Sequence, residues 1–265
     1  MDETQAHFAI GEAFARMERV HARMSFHEPT SDLSQLHRSP VGEWVTVDPM
    51  TIDVLSEAAR LAGASHGVFD ITVGGQLVDD GLLPHPQGDR VPDPAASWRD
   101  IELATTQARL HRSLWMDLGG IAKGYAVDRA IEALQAHGVT HGCVNAGGDL
   151  RFIGEGPHQV MIETELGEHA GIPALEVGEV AVATSTARSR KSGQAIPHRD
   201  ARAQRPVHGD QLATVVAGQC VHADALTKIV LALGKRSEDL LRRYDAEAYL
   251  QNAAGEWITL GAAIP

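Results

Sequence analysis

Apolar positions along the chain follow helical and strand periods in turn. In "MDETQAHFAIGEAFARMERVHARM", Ile10, Ala13, Phe14, Met17 and Val20 fall largely on one side of a helix. "MSFHEPTSDLSQLHRSP" holds neither period and reads as an irregular polar segment closed by Pro40. A strand-like "EWVTV" leads to "DPMTIDVLSEAARLAGASHG", a helix capped by Asp48 or Thr51 and ending near His66-Gly67. After "VFDITVGGQL", residues 84–94, rich in Pro, Gly and Asp, form a surface loop. Alternating runs at 101–104 and 108–111 predict a hairpin.

In "MDLGGIAKGYAVDRA" a strand ends at Asp117, Gly119 and Gly120 make the turn, and a helix over 121–137 buries Val127, Ile131 and Leu134. "GCVNAGGDLRFIG" reads as two strands around a glycine turn, and 158–184 as three more. Residues Arg188 to Asp210 make a polar, basic loop. A strand at 213–217, the helix "VHADALTKIVLALG", another helix and a strand pair complete the chain. Helices and strands mix without regular alternation, so the expected class is α+β rather than a doubly wound sheet.

The 265 residues are taken as one domain over 1–265, with two intimately joined halves as the other arrangement. Acidic residues outnumber basic ones, 35 to 23, for a formal net charge of -12. That excludes nucleic acid or an anionic membrane as main partner, but not a small phosphorylated ligand. Cys143 and Cys220 lie in apolar surroundings and are read as buried thiols in preference to a disulfide. No apolar run approaches the ~20 residues that span a bilayer. The N-terminal stretch lacks a signal peptide's pattern, so the expected compartment is the cytoplasm, or the periplasm if the chain has been trimmed.

Candidate chemistry sits at the turns. The helix mouth around Gly119, Gly120 and Lys123 suits an anion, through free N–H groups, the helix dipole and an ammonium. It equally suits a tight strand-to-helix connection with a surface lysine. In "VNAGGDL", before Asp149, the paired glycines allow close backbone approach to a ligand or a tight hairpin. Thr184 and Ser185, in "VATSTARSR", offer hydroxyls to a phosphate or ring edge, or act as caps. Asp224, Thr227 and Lys228 share one helix face. They read as a Mg²⁺ site or as a surface acid–lysine pair. His198, beside Asp200, is a candidate base among 14 histidines, with His37, His66 and His222 as alternatives.

In order, "MSFHEPTSDLSQLH", "GVFDITVGGQL", "MDLGGIAKGYAVDRA", "VNAGGDLRFIG", "VATSTA" and "ADALTKIVLALG" resemble the ApbE family of FAD:protein FMN transferases. The resemblance runs from about Met24 to Gly234. It implies a T-fold-like α+β fold of two related halves, with FAD in the cleft between them. It also implies Mg²⁺-dependent cleavage of FAD, release of AMP, and attachment of FMN to a threonine or serine of an acceptor flavoprotein subunit. Some members mainly hydrolyse FAD. Carried over, Lys123 contacts FAD, and Thr184 with Ser185 line the flavin site. Met24, Ser25, His37, Phe69, Asp70, Thr72, Asp117, Gly119 and Asp149 shape the rest of the pocket. Asp224, the Gly120 carbonyl and Thr227 hold Mg²⁺, and His198 is the base or a phosphate-orienting residue.

Departures accompany the resemblance, among them the absence of the family's usual N-terminal strand with a small G-T step. Lys228 stands where the family's metal-binding threonine is usual, with Thr227 one position earlier. His37 replaces a usual asparagine, and "HRDARAQRP" lacks the Pro and Gly of the family's histidine loop. These leave an FAD pyrophosphatase and a catalytically weak FAD-binding protein as the competing functions.

Overall fold

A computed structural model of the chain describes residues 2–162, 174–187, 198–207, 211–252 and 254–261. The architecture is α+β. The chain divides into two compact units. The first comprises Met1–Met17, Lys123–Asp200 and Arg205–Pro265; the second comprises Glu18–Ala122 and Ala201–Gln204. Helix α1 (Glu3–Met24) contributes to both.

The second unit contains α2 (Asp32–Arg38), β1 (Val45–Thr46), α3 (Pro49–Ala64), α4 (Gly74–Asp79), β2 (Ile101–Leu103) and β3 (Gln107–Leu110). The predicted hairpin is present, and β1 joins it in an antiparallel sheet of order β1-β3-β2. Helix α2 corrects the irregular reading of 24–40. The Ser31 side chain caps it by accepting the Ser34 N–H at 3.1 Å, and Leu33 and Leu36 are buried. Asp48 caps α3 by accepting the Met50 N–H at 3.0 Å. Buried Asp32 accepts the Asp48 N–H at 2.8 Å and the Thr51 hydroxyl at 2.6 Å, so α2 fixes where α3 begins.

The strand expected before Gly119 does not form. Leu114, Trp115, Met116 and Leu118 are buried, yet residues 113–118 join no ladder. Their backbone groups find other partners: the Asp117 N–H donates to Ile71 O at 2.7 Å, and Trp115 O accepts the Gly74 N–H at 3.1 Å. Burial made this run look like a strand, while irregular hydrogen bonds satisfy its backbone equally well.

The first unit has helix α5 (Ala122–Ala136), of which Lys123 onward belongs to it, followed by strands β4 (Gly142–Ala146), β5 (Asp149–Ile153), β6 (His158–Met161), β7 (Ala174–Val177) and β8 (Ala181–Thr186). Next come β9 (Arg199–Asp200), β10 (Arg205–Pro206), β11 (Leu212–Ala217), α6 (Cys220–Leu233), α7 (Glu238–Arg243), β12 (Glu247–Gln251) and β13 (Trp257–Gly261). Six strands form one antiparallel sheet of order β13-β12-β11-β8-β5-β4. The glycine turn between β4 and β5 is as expected: Gly147 and Gly148 have φ of 62° and 97°, open to glycine at little cost. Part of the expected basic loop is a short antiparallel pair, β9 with β10. Arg188, Arg190 and Lys191 of that loop lie outside the described residues.

Alternation along the strands gives the sheet two different faces. Phe152, Val182, Leu212 and Val216 pack with Val160 and Leu175 of the β6-β7 hairpin. On the opposite face Ile153 packs with Ala9 and Ala13 of α1 and Ala130, Ile131 and Leu134 of α5. Helix α6 packs against β8 and β11. Cys220 is buried and Cys143 exposed, both as free thiols, which corrects the expectation of two buried ones. Among the described residues, no helix is long and apolar enough to cross a membrane.

Candidate active site

Helices α5 and α6 of the first unit come into close contact at Gly124. A Cβ there would lie 2.6 Å from the Cys220 carbonyl carbon and 2.8 Å from Asp224 Cβ, closer than any side chain tolerates. That glycine lets the first turn of α5 reach Asp224, and the Gly124 N–H donates to Asp224 Oδ2 at 3.0 Å. Sequence reasoning missed this residue, because a glycine inside a helix period carries no turn signal. Part of the anion capacity expected of this helix mouth is therefore taken by the protein's own aspartate.

Asp224 is fully buried. Its Oδ1 pairs with the Lys228 ammonium, which also donates to the Asp224 backbone carbonyl at 3.0 Å. The acid–lysine pair is thus present, but in the interior rather than on the surface. The Thr227 hydroxyl is 2.6 Å from Asp224 O and 2.8 Å from Ser185 Oγ. Ser185 therefore belongs to this cluster. Its neighbour Thr184 does not, because adjacent strand residues point to opposite faces. The Thr184 hydroxyl instead meets Thr214 Oγ1 at 2.9 Å.

Asp149 opens β5 on the face shared with Arg151 and Ile153. It is 1% exposed, and its Oδ2 lies 3.2 Å from the Lys123 ammonium. That contact is an ion pair without hydrogen-bond alignment, and among the described residues neither carboxylate oxygen accepts a hydrogen bond. Burial and the charge of Asp224 push the Asp149 carboxyl up to about 7, against the pull of Lys228 and Lys123. Lys123, exposed along its side chain, is raised: Asp149 and Asp224 outweigh its desolvation. His198 is half-buried, and desolvation, helped by Lys228, lowers it to about 3. A neutral imidazole of that kind orients a hydrogen bond but is a weak proton acceptor at neutral pH.

Asp128, on α5, was not singled out by the sequence. Helix α6 has no side-chain cap from Gln219. Its first N–H groups are instead satisfied across space: Asp128 Oδ1 accepts from Cys220 at 2.9 Å and Oδ2 from Val221 at 2.9 Å. Arg151 Nη1 completes the group at 2.6 Å from Oδ1. The helix carrying Asp224, Thr227 and Lys228 is held in place by this buried carboxylate.

The remaining residues carried over from the resemblance lie in the second unit, and several turn inward. Asp70 Oδ1 accepts the Thr72 N–H and hydroxyl at 2.9 and 2.8 Å, and Oδ2 accepts the Trp98 N–H at 3.2 Å. Burial nevertheless raises its pKa. Asp70 and Thr72 therefore form a half-buried cap for the turn at Ile71–Val73. Met24 and Phe69 are buried, and Ser25 Oγ accepts the His27 N–H at 3.2 Å. Asp117 Oδ1 accepts the Gly119 N–H at 3.2 Å, Gly119 is exposed, and Gly120 is half-buried.

His37 is the clearest structural residue of that group. Its Nε2 accepts the Met116 N–H at 2.8 Å, which requires the neutral ring, and Phe26 lies 5.3 Å away. Burial, assisted by Arg38, lowers its pKa from 6.5 to about 3. The unfolded chain therefore binds the extra proton first. The contribution of His37 is complete above pH 6.5 and is lost as pH falls toward 3. Asp149 has the opposite sign, so the comparison is with His37→Gln. Between pH 6.5 and about 4.5 the parent should lose roughly 2–3 kcal/mol more stability than that variant in urea titrations. Parallel pH curves would remove the neutral-ring assignment.

The Mg²⁺ assignment meets a specific difficulty in the first unit. Magnesium takes about six oxygens at ~2.1 Å, several of them usually waters or substrate phosphate oxygens, so the protein must supply one or two uncommitted ones. Asp224 offers two oxygens, one engaged by the Gly124 N–H and the other by an ammonium, and the Thr227 hydroxyl is directed at protein oxygens. Among the described residues, no group of three or more His, Cys, Asp or Glu is arranged to hold a metal. The residues of this unit, as placed, do not fit the ion.

The sequence model of the ApbE family matches residues 2–250. This chain belongs to the ApbE family. It is 30% identical to the FAD:protein FMN transferase of Vibrio cholerae serotype O1 over 238 residues, covering 83% of this chain and 71% of that protein. It is 28% identical to the FAD:protein FMN transferase of Haemophilus influenzae, with the same coverages of 83% and 71%. The crystal structure of the ApbE protein from Thermotoga maritima superposes with a TM-score of 0.83 at 25% identity, covering 95% of this chain and 88% of that one. The apo structure of Pseudomonas stutzeri flavinyl transferase ApbE gives a TM-score of 0.82 at 23% identity, covering 97% and 89%, and shows the same fold.

Proposed function

We propose that this chain cleaves FAD and transfers FMN to a threonine or serine hydroxyl of an acceptor flavoprotein subunit, releasing AMP. The named relatives support the substrate pair. The observation that carries the chemistry is the pair of buried carboxylates, Asp149 and Asp224, each held against a lysine, Lys123 and Lys228, at the mouth of α5. The acceptor oxygen attacks the FMN-side phosphorus, a new P–O bond forms, and the pyrophosphate P–O bond breaks. AMP leaves with the bridging oxygen. The hydroxyl proton passes to Asp149, whose carboxyl titrates near 7, and then to the AMP phosphate. Lys123 and Lys228 offset charge developing on the leaving oxygen. His198, held neutral, serves as a hydrogen-bonding partner.

Mg²⁺ is the cation the family resemblance implies, where it would neutralise pyrophosphate oxygens. The donor set described above argues against that role for Asp224 and Thr227. Two other functions use the same residues. Water in place of the acceptor hydroxyl makes an FAD pyrophosphatase. The Asp224–Lys228 pair is the feature that favours a weakly catalytic FAD-binding protein. Incubating the purified chain with FAD and separating nucleotides by chromatography distinguishes them: the transfer reading expects AMP to accumulate. Flavin that binds without AMP, even with acceptor present, would leave only the binding function.

A further inference from the structure

We propose that the Lys228 ammonium is the resident cation of this site and that the chain works without a divalent metal. The inference rests on the flavin-transfer reading and specifies which charge that reaction uses. Asp224 is 0% exposed and the Lys228 side chain 12% exposed. A buried carboxylate needs a counter-charge, and here it comes from the same helix four residues on. Each carboxylate oxygen then has a partner, Lys228 on Oδ1 and the Gly124 N–H on Oδ2. Thr227 faces Asp224 O and Ser185.

Charge counting agrees with this assignment. Asp149 and Asp224 face Lys123 and Lys228, so the ionised cluster is neutral before substrate arrives. A divalent ion seated on Asp224 would have to displace the ammonium or sit against it. Lysine has three N–H donors. Two go to Asp224 Oδ1 and O, and among the described residues the third has no partner. That donor is available to a phosphate oxygen of FAD, which makes Lys228 a tethered substitute for one metal–oxygen contact.

The test uses the full chain after EDTA treatment and gel filtration, with Mn²⁺ as metal probe and FAD as substrate. The wild type should leave Mn²⁺ free by electron paramagnetic resonance, and its AMP release should differ less than about twofold with and without Mg²⁺. In Lys228→Thr a hydroxyl replaces the ammonium beside Asp224. That variant should bind Mn²⁺, and its AMP release should rise at least about tenfold on adding Mg²⁺. Lys228→Met should lose activity that Mg²⁺ does not restore. Stoichiometric Mn²⁺ on the wild type, or wild-type AMP release that EDTA abolishes and Mg²⁺ restores, would overturn the inference. The wild-type Mn²⁺ result decides the matter even if the variants misfold. Flavin fluorescence separates the two failures: a chain that leaves FAD emission unchanged in either direction refutes the flavin reading, whatever Mn²⁺ does.

Discussion

Asp128→Ala should be the most destabilising single change in the first unit, costing about 3–5 kcal/mol. The carboxylate is 2% exposed and accepts the Cys220 and Val221 N–H groups and the Arg151 guanidinium. Truncation strands two buried backbone donors and a largely buried cation at once, and water cannot readily replace the lost acceptor. Function should fall with stability, because α6 then loses the contact that sets its first turn. Asp224 and Lys228, one and two turns further along, would shift with it. Urea unfolding of Asp128→Ala and Arg151→Met checks this. A loss below about 1 kcal/mol for Asp128→Ala would mean that another group caps α6.

Asp149→Asn should lower flavin transfer by roughly 10²–10⁴-fold while preserving the shape of the site. The parent rate should rise with pH through about 7, as the carboxyl gives up its proton and becomes able to accept one. In the asparagine variant that rise should vanish. The same profile measured on His198→Ala separates the two candidate bases. Loss of the pH step in His198→Ala, with Asp149→Asn unchanged in profile, would assign the proton to the imidazole instead.

The long amphipathic elements were legible in the sequence from their periods, although on α1 Ile10 and Phe14 of the expected apolar side are exposed while Ala13 and Val20 are buried. Helices α1, α3, α5 and α6, the 101–110 hairpin and the glycine turn at 147–148 all stand where the pattern puts them. Helix α2 was hidden because it is only 7 residues long and rich in Ser, Asp and His, with its apolar signal limited to Leu33 and Leu36. The run before Gly119 misled in the opposite direction, since continuous burial there comes without a ladder.

At the site, residue types were readable but their partners were not. Spacing within one helix gave the Asp224–Lys228 pair, whereas its burial depends on α5 arriving at Gly124 from 100 residues away in the chain. Asp128 looks like any polar helix residue until α6 is placed against it. Thr184 and Ser185 looked like one binding unit, and strand alternation separates them. His37 and Asp70, each a plausible ligand by type, are spent on the Met116, Thr72 and Trp98 backbone N–H groups.

The central claim is transfer of FMN to protein rather than its release to water. The most direct measurement incubates the chain with FAD and a flavin-free redox subunit carrying an acceptor threonine. AMP, free FMN and protein-bound flavin are then quantified in the same sample. The account predicts one covalent flavin on the subunit for each AMP formed, with little free FMN. Free FMN equal to AMP, with no flavin on the protein, would contradict it.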